Sequence, residues 1–387
     1  MSVEIYLDNA ATSFPKPESV YLAADRFLRH IGTSPARGSY PKAQESQRIL
    51  IQLRSKLSQL LGIREPSNLI LTNNATDSLN LALKGYLKKG DHVVMTHLEH
   101  NAVIRPLWAL RQTRQIEVSI AEGNSQGELN PEDVLKLVTP QTKLIACVHA
   151  SNVLGTIQPI QELSKKAHEL GIPILVDGSQ TVGALPVNLE ELDVDMFAFT
   201  GHKSLLGLTG TGGLFIRENI DLQPLREGGN GTHSNSLEQP MLRPERYESG
   251  TPNMVGLAGL LAGVEYILER GVESIRQHEL GLNEFLMRRL SAISGVKLYG
   301  PKAENKVAIT SFALDNLDVA EVGQMLGKKF GVMSRTGIHC SPLIHQMLGT
   351  QDQGTIRFSL GWANTEEDID TAVQAVSEIA RAIYRRV

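Results

Sequence analysis

Apolar runs of strand length recur through the first 220 or so residues of this chain, and the segments between them carry apolar positions at helical spacing. NLILTNN (68–74), HVVMTH (92–97), KLIACVHA (143–150), PILVDGS (173–179), DMFAFT (195–200) and GGLFIR (212–217) are apolar over most of their length rather than at every second position. That pattern predicts strands buried on both faces. In ATDSLNLALKGYL the residues Leu79, Ala82, Leu83 and Leu87 share one helical stripe, and Leu50, Leu53, Leu57 and Leu60 do the same between Pro41 and Leu61. The segment 101–111 is also helix-like, and PIQELSKKAHELG has Pro159 at its start and Gly171 just past its end, the usual asymmetry of helix termini. Strands alternating with helices predict an α/β fold with a mainly parallel sheet covered by helices.

The flanking segments break this rhythm. IYLDNAATSFPKP combines the turn-forming pair Asp8 and Asn9 with Pro15 and Pro17, so it reads as an arm. From Gly228 to Met254 the chain is polar, glycine-rich and without a period; a loop that long in a globular protein is functional or disordered. VGLAGLLAGVEYILERG then reads as a well-packed helix. Helices near 274–293, 318–329 and 365–385 with strands near 306–314 and 354–360 predict a smaller α+β unit. The expected division is an arm over 1–14 that packs with the small domain, a large domain over 15–254 and a small C-terminal domain over 255–387.

Bulk properties narrow the partners. With 387 residues, 41% hydrophobic and 21% charged, and a net charge of -4, the chain has the makeup of a soluble globular protein of two domains. No clustered basic face is visible, so neither nucleic acid nor an anionic membrane is expected as a partner. The stretch from Val255 to Leu268 is interrupted by Glu265, short of the roughly 18 apolar residues of a membrane span. MSVEIYLDN lacks a basic region followed by an apolar one, and a cytoplasmic location is expected. The two cysteines, Cys147 and Cys340, sit in different settings and do not suggest a disulfide framework.

Ligands of open parallel sheets bind beyond the carboxyl ends of the strands. The sequence places there Asn74, Ala75 and Thr76, then His97 to Asn101, Ser151 and Asn152, Asp177 to Gln180, and Thr200 to Lys203. A helix starting near Ala75 offers free N–H groups and the positive end of its dipole to a phosphate, with Thr200 and His202 as further donors. Lys203, set at a strand end between glycines in AFTGHKSLLGLTGTGG, is partly stripped of water there; a neutral amine condenses with an aldehyde. Asp177 ends an apolar strand, where a carboxylate requires a partner; a pyridinium N–H suits it, as does a turn with Ser179. His100 is placed to stack on an aromatic ring and Gln180 to bond a phenolic oxygen. An aldehyde, a phosphate, a ring nitrogen and a ring face together describe pyridoxal 5′-phosphate (PLP).

Competing motifs fail. A histidine separates Gly201 from Lys203 and no glycine stands five positions earlier, so there is no P-loop. Gly210, Gly212 and Gly213 lead into a strand rather than a helix, which rules out a dinucleotide fingerprint. Neither His97 with His100 nor His339, Cys340 and His345 has the spacing of a zinc site, and no metal is expected.

Seven segments, LDNAAT, EHNA (99–102), SNVLGT (151–156), VDGSQ, TGHKS (200–204), ESGTPN (248–253) and RTGIHC (335–340), resemble in order the landmarks of the class V PLP-dependent aminotransferase family. Within it they are similar to the type II cysteine desulfurases and selenocysteine lyases, over nearly the whole chain. The resemblance implies a PLP-dependent transferase fold of type I. It implies that Lys203 carries the cofactor and that Asp177 holds its ring nitrogen, Gln180 its ring oxygen and His100 its face. Ala75, Thr76, Thr200 and His202 would hold the phosphate, and Gly250 and Thr251 would reach the phosphate of a neighbouring subunit, which implies a homodimer with shared sites. Asn152 would contact the cofactor and, with Arg335 and Arg357, grip the substrate carboxylate.

Cys340 is the position that separates this group from transaminases. Its apparent loop, GIHCSPLIH, suits a thiol that must reach a substrate sulfur and withdraw, whereas Cys147 lies in an apolar strand and is expected to be inert. The implied catalytic residues are therefore Lys203, Cys340 and His100, and the implied reaction converts L-cysteine to L-alanine with the sulfur left on Cys340 as a persulfide. A sulfur-acceptor protein and a role in iron–sulfur cluster assembly follow from the same resemblance. The alternatives are selenocysteine as substrate, an aminotransferase, a C–S lyase that releases sulfide, and a silent scaffold or sulfur-relay protein. Three departures stand out: the sequence opens almost at LDNAA, position 75 is Ala where relatives often have Thr, and Ile338 replaces a usual His.

Overall fold

The computed structural model of the protein describes residues 4–35, 38–231 and 235–384. The first three residues of the expected arm, residues 232–234 of the 228–254 stretch and the last residue of the helix expected over 365–385 lie outside them. In chain order the strands are β1 (Ile5–Tyr6), β2 (Leu69–Thr72), β3 (His92–Thr96), β4 (Glu117–Ala121), β5 (Thr142–Val148), β6 (Ile174–Asp177) and β7 (Met196–Thr200). They continue with β8 (Gly212–Ile216), β9 (Val296–Tyr299), β10 (Ile309–Leu314), β11 (Val332–Met333), β12 (Arg335–Gly337) and β13 (Thr355–Ser359).

β2 to β8 form one sheet in the order β2-β8-β7-β6-β5-β3-β4. β3 pairs in parallel with β4 and β5, and β5, β6 and β7 continue in parallel. β8 lies antiparallel between β7 and β2, because residues 201–211 are too few for the helical crossover that a parallel return requires. That short return is the segment carrying Lys203. The two antiparallel pairings also leave β2 parallel to β7, so Ala75, just past β2, faces the same crevice as the other strand ends. The strand order reverses at β3, with β4 on one side and β5 on the other, which is where an open sheet parts to admit a ligand.

Both faces of this sheet are covered, as the apolar runs predict. Ile174, Val176, Phe197 and Phe199 point into a core shared with helices Pro41–Leu61, Ile160–Glu169 and Met254–Arg270. The alternate residues Leu175, Met196 and Ala198 point into a second core beneath helices Ala75–Tyr86 and Asn101–Arg114. Fully burying a phenylalanine such as Phe197 or Phe199 contributes about 1.5–3 kcal/mol relative to exposure. β4 was not anticipated. EVSIA has an exposed Glu117 and three half-buried residues at a sheet edge, too little apolar content to register as a buried strand. Helix Glu18–Arg26 also escaped the pattern, since Val20 is its one buried residue; it packs on helix Met254–Arg270.

The other strands form a four-stranded antiparallel sheet, β12-β13-β10-β9, and a two-stranded parallel pair, β1-β11. Helices Val272–Ser291, Val319–Phe330 and Glu366–Tyr384 bury Leu286, Val322 and Ile369 against Phe312 and Phe358, whose rings meet edge to face at 5.0 Å. Ile5 and Leu7 of the N-terminal segment belong to this core. Helix Met254–Arg270 instead contributes Leu257, Leu260 and Val264 to the core of the large sheet. No helix among the described residues is long and apolar enough to cross a membrane.

Candidate active site

At the carboxyl ends of the large sheet lies a cavity of about 240 Å³. It is lined by Ala75, Thr76, His100, Asn152, Asp177, Gln180, Thr200, His202, Lys203, Arg335, Cys340 and Arg357. Of the cofactor- and substrate-contacting residues that the resemblance implies, Gly250 and Thr251 are elsewhere, and of the strand-end residues His97, Asn101 and Ser151 also lie outside the lining. Gly250 and Thr251 line a second cavity of about 450 Å³ with Arg54, Tyr247 and Glu248.

Lys203 is held through its backbone. The His202 carbonyl accepts from Ser13 N at 3.0 Å, Thr12 Oγ1 at 3.0 Å and Lys16 Nζ at 2.8 Å, and the Lys203 carbonyl accepts from Ser13 Oγ at 2.8 Å. The N-terminal arm thus fixes the turn, while the amine makes no hydrogen bond among the described residues. Burial lowers its pKa to about 8; the Asp177 carboxylate and Cys340 oppose the shift, and the guanidiniums of Arg357 and Arg335 add to it.

Asp177 ends β6 with one oxygen engaged. Its Oδ1 accepts from Ser179 N at 2.9 Å and Ser179 Oγ at 2.5 Å, the turn that the sequence allowed, and Oδ2 has no partner among the described residues. Gln180 Nε2 donates to the Ala10 carbonyl at 3.1 Å, which leaves its second N–H available. His100 caps helix Asn101–Arg114, its Nδ1 accepting from Ala102 N at 3.0 Å. Burial, with a contribution from the Lys203 charge, lowers His100 to about 4, so the imidazole is neutral at pH 7. Glu99 beside it accepts from Thr96 Oγ1 at 2.7 Å and Val148 N at 2.8 Å, tying the end of β3 to β5.

A PLP molecule fits the groups left unpaired. Asn74 caps helix Ala75–Tyr86 by accepting from Asp77 N at 2.9 Å, and the N–H groups of Ala75 and Thr76 make no bond among the described residues, a seat for a phosphate. His202 Nδ1 is buried without a partner on the same wall. Oδ2 of Asp177 suits a ring N–H, and the Lys203 amine an aldehyde.

The remaining wall carries positive charge. Arg335 on β12 and Arg357 on β13 are direct cross-strand partners, a like-charge pairing that destabilises a sheet unless an anion meets it. Arg357, 2% exposed, donates to Asp8 Oδ1 at 2.8 Å and to the Asn152 carbonyl at 3.0 Å, and its Nε is unpartnered. No ion pair engages Arg335 among the described residues; its NH2 stands 3.9 Å from Cys340 Sγ. Two guanidiniums against one local carboxylate leave room for a substrate carboxylate. The local sequence marks Asp8 as a turn former, and nothing in it links Asp8 to a residue 349 positions later.

Cys340 does not sit on a free loop. His339 and Cys340 have φ of 51° and 61°, a left-handed conformation costing non-glycine residues about 1–2 kcal/mol each. Hydrogen bonds from three directions hold it: Asn101 N to the Cys340 carbonyl at 2.8 Å, His339 Nε2 with the Thr355 carbonyl at 3.1 Å, and Asn152 Nδ2 to the His339 carbonyl at 2.7 Å. Burial pushes His339 well below the usual histidine range. Helix Pro342–Leu348 follows at once. The thiol thus stands on a braced turn, a feature that the glycine and proline neighbours in the sequence do not reveal because the bonds are tertiary. The brace depends on Gly354, whose φ is 79° and whose added Cβ would stand 2.1 Å from the Gly337 backbone. Gly354→Ala is expected to destabilise the protein by about 1–3 kcal/mol, read as a lower midpoint in urea unfolding.

The sequence model described as Aminotransferase class-V matches residues 5–372. A cysteine desulfurase of Haloferax volcanii is 33% identical over 391 residues, covering 98% of this chain and 90% of the relative. Among solved structures, the apo cysteine desulfurase of Thermococcus onnurineus NA1 is similar at a TM-score of 0.92 and 32% identity, covering 98% of this chain and 95% of that one. The cysteine desulfurase CsdA of Escherichia coli, solved in an S-sulfonic acid form, is similar at a TM-score of 0.89 and 27% identity, with coverage of 98% and 95%.

Proposed function

The chain belongs to the aminotransferase class-V family, and from that premise we propose that it is a PLP-dependent cysteine desulfurase converting L-cysteine to L-alanine with transfer of sulfur to Cys340. The observation that carries this reading is the convergence of Lys203, Asp177 and Cys340 on one cavity. PLP, when bound, supplies the electron sink that makes the Cα proton of an amino acid removable.

The chain's own residues do the rest. The N–H groups of Ala75 and Thr76, with Thr200 and His202, would hold the phosphate; Asp177 Oδ2 would keep a proton on the ring nitrogen, since a buried carboxylate and a pyridinium stabilise each other's charge. Gln180 would donate to the phenolic oxygen, and the neutral His100, its Nδ1 fixed by Ala102 N, would offer its face to the ring. Arg335 and the Arg357 guanidinium, whose Nε is unpartnered, receive the substrate carboxylate. Lys203 takes the proton from Cα and delivers one back to it before alanine leaves, so that carbon ends with the hydrogen it began with. The Cys340 sulfur then attacks the substrate sulfur, the Cβ–S bond breaks, and Cβ takes a proton to become the methyl group of alanine. Thiol and substrate sulfur end as one persulfide, so no outside oxidant or reductant is needed.

Two further elements of the reading concern partners. Exposed Leu22, Leu28, Ile51, Met241 and Leu242 support a second copy of the chain as their cover, a homodimer in which Gly250 and Thr251 reach the neighbour's phosphate site. A protein or small thiol takes the sulfur from Cys340. The test of the function is stoichiometry: one alanine per sulfur transferred, with intact-protein mass placing one added sulfur on Cys340. Sulfide with pyruvate in place of alanine would show a lyase instead.

A further inference from the structure

Both ends of one side-chain amide are bound to the peptide on either side of the thiol. Asn152 Nδ2 donates to the carbonyl of His339 at 2.7 Å, and Asn152 Oδ1 accepts from Ser341 Oγ at 2.7 Å. Asn152 is 7% exposed and Ser341 fully buried, so water does not replace these bonds cheaply. The loop that presents Asn152 is itself fixed. Ser151 Oγ accepts from Val153 N and Leu154 N, and Ser151 N donates to the Thr156 carbonyl. The Asn152 carbonyl in turn accepts from Arg357 NH1 at 3.0 Å. One residue therefore joins the arginine facing the substrate to the turn carrying the thiol.

We propose that Asn152 is a positioning residue for the sulfur step, clamping the turn at His339 and Ser341 so that the Cys340 thiol is held at the distance and angle that attack on the substrate sulfur requires. This rests on the reading of Cys340 as the sulfur-accepting thiol. The turn needs such a clamp because two successive non-glycine residues are left-handed, a conformation that persists only where its surroundings over-determine it. With the clamp gone, the Asn101 N–H and the His339 ring remain as restraints, and the turn relaxes without unfolding. The amide's place beside the cavity gives it an alternative task, direct contact with the substrate carboxylate, and the two tasks differ in what they do to the kinetics.

The experiment uses the PLP-loaded enzyme with Asn152→Ala and, separately, Ser341→Ala, which removes one arm of the clamp and leaves the Asn152 side chain in place. A displacement of about 1 Å lowers rates by on the order of 10²-fold. Ser341→Ala is expected to lower kcat for alanine formation by roughly 10- to 100-fold with KM within about twofold, and Asn152→Ala to lower kcat at least as far. Both should also alter the rate and pH profile of Cys340 alkylation by iodoacetamide; Cys147 is buried in β5 and does not contribute. A raised KM with unchanged alkylation, or no change in either variant, overturns the proposal. If Asn152→Ala fails to fold, Ser341→Ala alone decides. If the parent enzyme makes no alanine, the functional reading fails while the alkylation profiles still report whether the clamp exists.

Discussion

Lys203→Ala is expected to reduce alanine formation from L-cysteine by on the order of 10⁴-fold, the upper end for a positioned proton-transfer group, because the same amine both anchors the cofactor and moves the Cα proton. The purified variant should also lose the absorbance of covalently held PLP. Lys203→Arg is not expected to rescue either property, since a guanidinium does not deprotonate under these conditions. More than about one hundredth of the parent rate in Lys203→Ala would show that another group moves the proton. Burial lowers the amine to about 8, and this gives a second readout in cofactor-free protein. Below pH 8 the amine is mostly charged and cannot attack an aldehyde. PLP uptake should therefore rise about tenfold per pH unit up to 8 and flatten above it, whereas an ordinary lysine would keep it climbing toward about pH 10.

The parts of this site that were legible in the sequence share one property: each follows an apolar strand directly. Ala75, His100, Asn152, Asp177 and Lys203 could be placed on one crevice because a parallel sheet brings all its carboxyl ends to one side. The direction of β8 was not legible, since an apolar run reads the same in either orientation, yet it is what leaves Lys203 on a short return held by Ser13 and Lys16. Strands of two or three residues such as β1, β11 and β12 are too short to show a period. The pairing of β12 with β13 is nonetheless what sets Arg335 opposite Arg357.

Contacts across long sequence separations were hidden for a different reason. Asp8 with Arg357 and Asn152 with His339 and Ser341 join segments whose local patterns carry no sign of each other. The resemblance named Arg357 and Asn152 as residues around the substrate carboxylate. The coordinates add that Asp8 partly neutralises the first and that the second has each end of its amide engaged by the Cys340 turn. Gly250 and Thr251 stand apart from the first cavity within a single chain, and a role for them at the phosphate requires a second copy, a matter of assembly that no single-chain pattern encodes.

Cys340→Ala is expected to separate cofactor chemistry from sulfur transfer. The contact found for its thiol among the described residues is with Arg335, and the turn is held through the Cys340 carbonyl and its neighbours rather than through the thiol, so the variant should fold, bind PLP and keep its colour. Turnover of L-cysteine to alanine should fall by on the order of 10²-fold or more, the pattern of a lost nucleophile, and intact mass should show no added sulfur. Cys340→Ser, which keeps the size but not the nucleophilicity of a thiol, is expected to behave alike. Selenocysteine is the informative second substrate. Selenium leaves carbon more readily than sulfur, so its release depends less on attack by a protein thiol, and the variant should retain a far larger share of the parent rate with it. Undiminished L-cysteine turnover in Cys340→Ala, with sulfide among the products, would place the protein with the C–S lyases and leave Cys340 as a packed turn residue.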